Sequence, residues 1–247
     1  MGLLYDSIGQ GYTAVRREDP RIAARIHAAL GDARTVVNVG AGTGAYEPAD
    51  LEVVAVEPSE TMIAQRPRGA APVVRAYAEE LPFKDGSFDA AMGVLTDHHW
   101  TDHARGLAEM RRVARRVVLF TWDPATVRDM WIVRDYLPSV ADLIPQGYRL
   151  AHMLARLGDA RAEPVPIPHD CRDGFLHAYW RRPAAYLDPA ARAGISIFAK
   201  LDPAAVQEGI DRLRRDLDSG QWERRNADLL GLEEVDAGYR LVIGPSR

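Results

Sequence analysis

Apolar residues in the first half of the chain alternate between two rhythms. Short continuous runs occur at residues 36–39, 53–56, 73–77, 88–96 and 117–121, the length and composition of buried strands. Between them the spacing is helical. Asp19-Pro20 offers an acidic cap and a proline at the first helical position, Ile22, Ile26 and Leu30 share one face, and Gly31 ends the segment. Ser59 caps a short helix carrying Met62 and Ile63, with Pro67 as its stop. Thr101-Asp102 caps another, with Leu107, Met110 and Val113 inward. Strands alternating with helices predict an α/β fold with a largely parallel sheet. The second half repeats the acid-proline start at Asp123-Pro124, Asp188-Pro189 and Asp202-Pro203, and the last of these opens a helix with Val206, Ile210, Leu213 and Leu217 on one side. Residues 239–243, YRLVI, read as a final strand, and the proline-rich residues 164–168 suit only an edge.

The first strand runs into Gly40, Gly42 and Gly44. Glycines there let a ligand lie against the backbone, and free loop N–H groups are expected to face an anionic group on it. The second strand ends at Glu57, where a doubly wound nucleotide fold grips a ribose through an acidic side chain. The loop reads G-A-G-T-G, not G-x-G-x-x-G, so the dinucleotide fingerprint is unmet and a nucleoside cofactor is expected.

The segments VVNVGAGTGAY, VVAVEPS and AEELPFKDGSFDAAMGVLTDHHW, in that order and spacing, resemble successive motifs of the class I S-adenosylmethionine-dependent methyltransferases. The closest type is the small-molecule branch that includes quinone-biosynthesis enzymes (a type 11 methyltransferase domain). The resemblance covers residues 5–123. It implies a Rossmann-like seven-stranded sheet whose last strand is antiparallel, and S-adenosyl-L-methionine as cofactor with S-adenosyl-L-homocysteine as product. The cofactor site it implies comprises Tyr12, Arg16, Gly40, Ala41, Gly42, Gly44, Glu57, Pro58, Met62, Ala78, Glu79 and Leu95. Tyr77 stands where the family commonly has an adenine-binding aspartate, so Ala78 or Glu79 is expected to take that contact. Proline at position 48 leaves at most one helical turn between the first two strands.

With residues 165–167 as the sixth strand and 239–243 as the seventh, residues 171–231 form a helical cap. Residues 1–170 plus 232–247 then form the cofactor-binding core. Methyl transfer needs alignment first, and a base only when the acceptor carries a proton to remove. His98 and His99 follow the fourth strand and are the catalytic candidates, with Asp97 placed to orient one imidazole and Trp100 to wall the pocket. Among His169, Tyr179 and Trp180 two readings stand: an aromatic acceptor pocket, or helix-packing core. His169 and Asp170 offer too few ligands for a metal, so none is expected.

Bulk properties narrow the remainder. A chain of 247 residues suits one large domain or one domain with a cap. The net charge of −4 gives no footprint for nucleic acid, and the lone Cys171 excludes an intramolecular disulfide. No signal peptide or membrane-spanning run is present, so a soluble cytoplasmic protein without membrane partners is expected, either monomer or homodimer. Only Lys84 and Lys200 stand among many arginines, the usage of a GC-rich bacterial genome. The expected function is methyl transfer to a small molecule in bacterial primary or specialised metabolism. The alternatives are a non-catalytic binder of the same cofactor and a nicotinamide-dependent oxidoreductase.

Overall fold

The structure is a computed structural model that describes residues 16–144 and 148–245; the expectation for Tyr12 lies outside the described residues. Helix α1 (Pro20–Leu30) starts where the sequence placed it. The Asp19 carboxylate accepts the Arg21 N–H, and Gly31 at φ 68° ends the helix. Seven strands form one sheet: β1 (Thr35–Val39), β2 (Glu52–Val56), β3 (Val73–Val74), β4 (Phe88–Val94), β5 (Ala114–Trp122), β6 (Arg161–Pro164) and β9 (Tyr239–Ile243). Their order is β3-β2-β1-β4-β5-β9-β6. The first five are mutually parallel, and β9 runs antiparallel to both β5 and β6. This is the Rossmann-like sheet with an antiparallel last strand that the sequence predicted.

Alternate residues of each strand feed opposite cores, as the pleat requires. Val36, Ala90, Met92, Val118, Phe120 and Leu241 face α1 and its neighbours. Val37, Ala91, Leu119 and Val242 face helices α3 (His103–Val113) and α4 (Leu150–Leu157). Residues 45–51, after the glycine loop, form turns without a helix.

Several boundaries differ from the sequence reading. The third strand is two residues long, not five. The fourth stops at Val94 because Leu95 takes φ 50°. The fifth begins at Ala114, directly after α3, so a basic run of Arg111, Arg112, Arg115 and Arg116 is divided between a helix end and a strand. Its arginines reach solvent but are paired: Arg112 bonds Glu109, Asp85 and the Leu81 and Phe83 carbonyls, and exposed Arg115 pairs with Asp89. The sixth strand is Arg161–Pro164, not 165–167. Beyond Pro164 the chain leaves the sheet, and β7 (Ile167–Pro168) pairs instead with β8 (Glu234–Val235) as a small ribbon.

That ribbon closes the base of the inserted segment. Above it lie α5 (Pro189–Ala193), α6 (Pro203–Asp218), α7 (Gln221–Arg225) and α8 (Ala227–Leu230). Their core is shared with residues between β5 and α4: Val127, Trp131, Tyr136 and Val140 pack against Tyr186, Ile195, Ile210, Leu213 and Trp222. The helical layer is thus built from two stretches of chain. Among the described residues no helix is long and apolar enough to cross a membrane.

Candidate functional site

The carboxyl ends of β1, β2 and β4 open into a cavity of about 320 Å³, the position at which open α/β sheets bind ligands. The glycine loop forms one side. Gly40, Gly42 and Gly44 all have positive φ, and a side chain at Gly40 would collide with Thr96. The loop closes on itself. Gly40 and Ala41 donate to the Val56 carbonyl at 2.8 and 3.0 Å, and Gly44 donates to Ala41. Gly40 and Ala41 thus donate to the end of β2 and Gly44 within the loop, so these three N–H groups are not among the free donors expected to face an anion. Their work is to fix the backbone, which leaves the adjoining cavity shaped without side chains.

Glu57 is 6% exposed and bridges loop to helix. One oxygen accepts the Gly42 N–H at 2.8 Å and the other the Ser59 N–H at 2.9 Å. A carboxylate oxygen accepts more than one hydrogen bond, so a ribose hydroxyl fits at the same group. Met62, 2% exposed, lies beneath, its Cε 3.2 Å from where a Gly42 side chain would begin. Behind the loop stands a network that sequence patterning did not reveal. Arg66 binds both Glu47 oxygens at 2.8 Å and the Gly42 carbonyl at 3.2 Å, while Asn38 donates to Glu47. Asn38 Oδ1, beside the cavity, is buried without a hydrogen-bond partner among the described residues. A glycine cradle, an acid at the second strand end and an orphaned buried acceptor together fit a nucleoside-bearing cofactor.

Of the expected cofactor residues, Arg16, Gly40, Ala41, Gly42, Glu57, Pro58, Met62, Ala78, Glu79 and Leu95 line this cavity, whereas Gly44 stands one step back against Glu47 and Arg66. Glu79 is committed to capping, accepting the Thr101 and Asp102 N–H groups at 2.7 and 3.1 Å. Arg16 makes a two-point ion pair with Asp173 of the inserted segment, at 2.6 and 3.2 Å.

A second cavity of about 110 Å³ adjoins the first; Arg16, Leu95, His98 and Lys200 line both. Its walls are mostly apolar, with Trp122, Val127, Val140, Phe175, Ile195 and Tyr239 among them. His98 and His99 sit on the turn Asp97–His99 with ring centroids 3.9 Å apart. Burial lowers the His98 pKa to about 4. The Asp97 charge opposes that shift, and the Lys200, Arg16 and His103 charges add to it. Burial also takes His99 well below its ordinary value. Both rings are therefore neutral near pH 7. His98 Nδ1 is buried with no hydrogen-bond partner among the described residues.

Asp97, 1% exposed, does not hold either imidazole by a hydrogen bond. It accepts from Thr121 Oγ1 at 2.8 Å and Tyr148 OH at 2.6 Å, and pairs with His103 Nε2 at 3.2 Å. Burial pushes its carboxyl up, but the hydrogen bonds from His103 and Tyr148 and the His98 charge outweigh this and hold the group below the usual range. The acid thus anchors the histidine turn from below.

Trp100 lines the first cavity, on the side of Ala78 and Thr101. His169, Tyr179 and Trp180 line neither cavity. Trp180 is 1% exposed, with its indole N–H on the Ile167 carbonyl and its own carbonyl accepting from Trp131. Tyr179 packs edge-on against Tyr186 under Arg182, and His169 bonds the Glu233 carbonyl near the ribbon. Tyr179 and Trp180 thus follow the packing alternative, while His169 is part-exposed at the ribbon and belongs to neither reading. Lys200, His177, Trp122 and Asp173 line the cavities without having been singled out. The one sequence signal was that Lys200 is one of only two lysines.

The comparisons with known proteins agree with this geometry. A family described as a methyltransferase domain matches residues 37–120. A crystal structure from Anabaena variabilis, described as a candidate methyltransferase from an antibiotic biosynthesis pathway, is 33% identical. It superposes with a TM-score of 0.86 over 93% of this chain and 98% of that one. A ubiquinone/menaquinone biosynthesis C-methyltransferase of Geobacter is 30% identical over 40% of this chain and 49% of its own length. The geranyl diphosphate C-methyltransferase of Streptomyces coelicolor, crystallised with S-adenosyl-L-homocysteine, is 16% identical. It shares the fold alone, at a TM-score of 0.50 over 91% of this chain and 77% of that one. The chain spans from 30% to 55% of the length of the curated relatives it matches. On its match over nearly the whole Anabaena chain, and on the glycine loop and Glu57 that carry the family's motifs, the protein belongs to the class I methyltransferases, whose cofactor is S-adenosyl-L-methionine.

Proposed function

We propose that this protein transfers a methyl group from S-adenosyl-L-methionine to a small-molecule acceptor held in the inner cavity. The observation that carries this reading is the junction of the two cavities. A glycine-lined cavity at the strand ends, with the Glu57 carboxylate in its wall, meets a smaller and more apolar one, and His98 lines both. Bound cofactor supplies a methyl group activated by its sulfonium. The residues of this chain do the rest. Glu57 and the glycine loop hold the nucleoside, and Arg16, Met62 and Leu95 line the remainder of that cavity. The cap, residues 171–231, supplies much of the apolar wall that orients the acceptor and keeps water away, while residues 1–170 plus 232–247 carry the cofactor. Neutral His98, with the His99 ring tilted against it, accepts the acceptor's proton where there is one to remove.

A small acceptor rather than nucleic acid suits the net charge of −4 and the paired state of the basic run. The arginine-rich composition suits a bacterium with a GC-rich genome, and we place the protein in its cytoplasm, in primary or specialised metabolism. The test has two parts. S-adenosyl-L-homocysteine at a hundredfold excess over its Kd raises stability by about 2.7 kcal/mol, a melting shift on the order of 5–10 °C, and NAD does not. Methyl-labelled cofactor incubated with a metabolite extract then yields a labelled small molecule. A response to NAD alone would overturn the reading, and tight cofactor binding with no labelled product would favour a non-catalytic binder.

A further inference from the structure

The inner cavity contains a histidine that the reading above leaves unused. His177, on the inserted segment, is 4% exposed and lines that cavity. Its Nδ1 lies 3.3 Å from the Ala237 carbonyl oxygen. A carbonyl only accepts, so Nδ1 carries the proton, and Nε2 of the neutral ring is left as a lone-pair acceptor. Burial lowers the ring's pKa to about 4, against the smaller effect of that same hydrogen bond, so the neutral form prevails at physiological pH. Nε2 is buried and has no hydrogen-bond partner among the described residues.

Such an atom calls for a physical reason, because buried polar groups are almost always satisfied. Its surroundings are mixed: the His177 backbone N–H donates to the Tyr239 hydroxyl at 3.5 Å, Ser196, Arg16 and Lys200 line the same cavity, and the Tyr239 and Phe175 rings add apolar surface. A ligand bringing its own apolar surface and one donor satisfies both demands. The cavity of about 110 Å³ suits a group the size of one ring. Arg16 and Lys200 at the junction disfavour a cationic donor, and Lys200 has no ion-pair partner among the described residues. A neutral hydroxyl fits.

We propose, resting on the methyltransferase reading, that the acceptor is an apolar, ring-sized molecule with a hydroxyl that donates to His177 Nε2, and that His177 is the positioning residue that selects it. The hydroxyl anchors the end of the molecule away from the cofactor cavity, and the end near His98 presents the atom to be methylated.

Calorimetry on the full chain saturated with S-adenosyl-L-homocysteine tests this with phenol and anisole as probes, which differ in whether the oxygen carries a proton. Phenol is expected to bind at least tenfold more tightly than anisole. The preference should vanish in His177→Phe and survive in part in His177→Gln, which keeps an acceptor. Equal affinities for the two probes in the unaltered protein, binding of neither, or an undiminished preference in His177→Phe would each overturn the assignment. Should His177→Phe not fold, the comparison in the unaltered protein still decides. Failure of S-adenosyl-L-homocysteine itself to bind would instead count against the methyltransferase reading.

Discussion

Arg16 and Asp173, 157 residues apart in sequence, meet in a two-point ion pair at the edge of the cofactor cavity. Asp173 is 1% exposed, and it also accepts the Tyr46 hydroxyl at 3.0 Å and the Gly174 N–H at 2.8 Å. One carboxylate thereby joins the inserted segment, the glycine loop and the chain preceding α1. Removing one partner of a buried pair strands the other's charge, a loss of about 3 kcal/mol. Asp173→Ala is therefore expected to lower the melting temperature by on the order of 6–12 °C and to weaken cofactor binding. Asp173→Asn keeps an acceptor and should lose less. Scanning calorimetry with and without S-adenosyl-L-homocysteine measures both effects; an unchanged melting temperature in Asp173→Ala would show that the pair contributes nothing.

Glu57 has two tasks, bracing the loop through Gly42 and Ser59 and binding the ribose. Charge-assisted hydrogen bonds contribute roughly 1.5–3 kcal/mol. Glu57→Gln should thus weaken S-adenosyl-L-homocysteine binding by about tenfold to a hundredfold. Titration calorimetry on a variant with native circular dichroism checks this. Native-like affinity would remove Glu57 from the cofactor site.

His98 enters turnover already neutral at pH 7, since its pKa is about 4. As a base it is disabled only when protonated, so its limb of the rate profile falls as pH drops toward that value and stays level above it. His98→Ala is expected to bind cofactor normally and lose about 10²–10⁴ in single-turnover rate. If the ring only positions the acceptor, KM rises and the acid limb is unchanged. Rates across pH for His98→Ala and His99→Ala separate these outcomes.

Two buried histidines also set how stability depends on pH. His98 and His177 are held near pKa 4 in the fold, chiefly by burial, against about 6.5 in the unfolded chain. Between those values the unfolded chain binds protons that the native state refuses. Stability is complete above about pH 6.5 and falls with acidification through that window, on the order of 3 kcal/mol for His177. Buried acids with depressed pKa, such as Asp19 at about 2, give way only below about pH 3.8. Urea unfolding at steps from pH 7.5 to 4.5 should show a steady loss, shallower in His177→Gln. A slope identical in the variant would mean that His177 is already protonated in the fold.

Local chemistry made much of this protein readable from its sequence. Asp-Pro pairs begin helical segments at Asp123, Asp188 and Asp202 because an N-cap and a pre-set φ act within three residues. Apolar runs mark β1, β2, β4 and β5 because a parallel sheet covered on both faces must bury every residue of its strands. Glycines, the acid at Glu57 and the histidines after β4 are adjacent in sequence to the strand ends that place them. The inner cavity had no such signal. Trp122, His177 and Lys200 come from separate stretches, and no periodicity says which ones converge. The aromatics that looked like a pocket, Tyr179 and Trp180, are packed against Tyr186 and Trp131 instead: residues 175–181 form bends and turns, not the helix their spacing suggested, and long-range contacts set what they meet. The sixth strand shifted for the same reason: Arg161–Pro164 carries little apolar patterning, and its place is set by pairing with β9 residues 76 or more positions further along the chain. Sequence alone determined the parallel strand–helix alternation and which residues gather at the strand ends, where neighbours along the chain do the work. Only the tertiary fold decided the acceptor end, because its walls are assembled from long-range contacts.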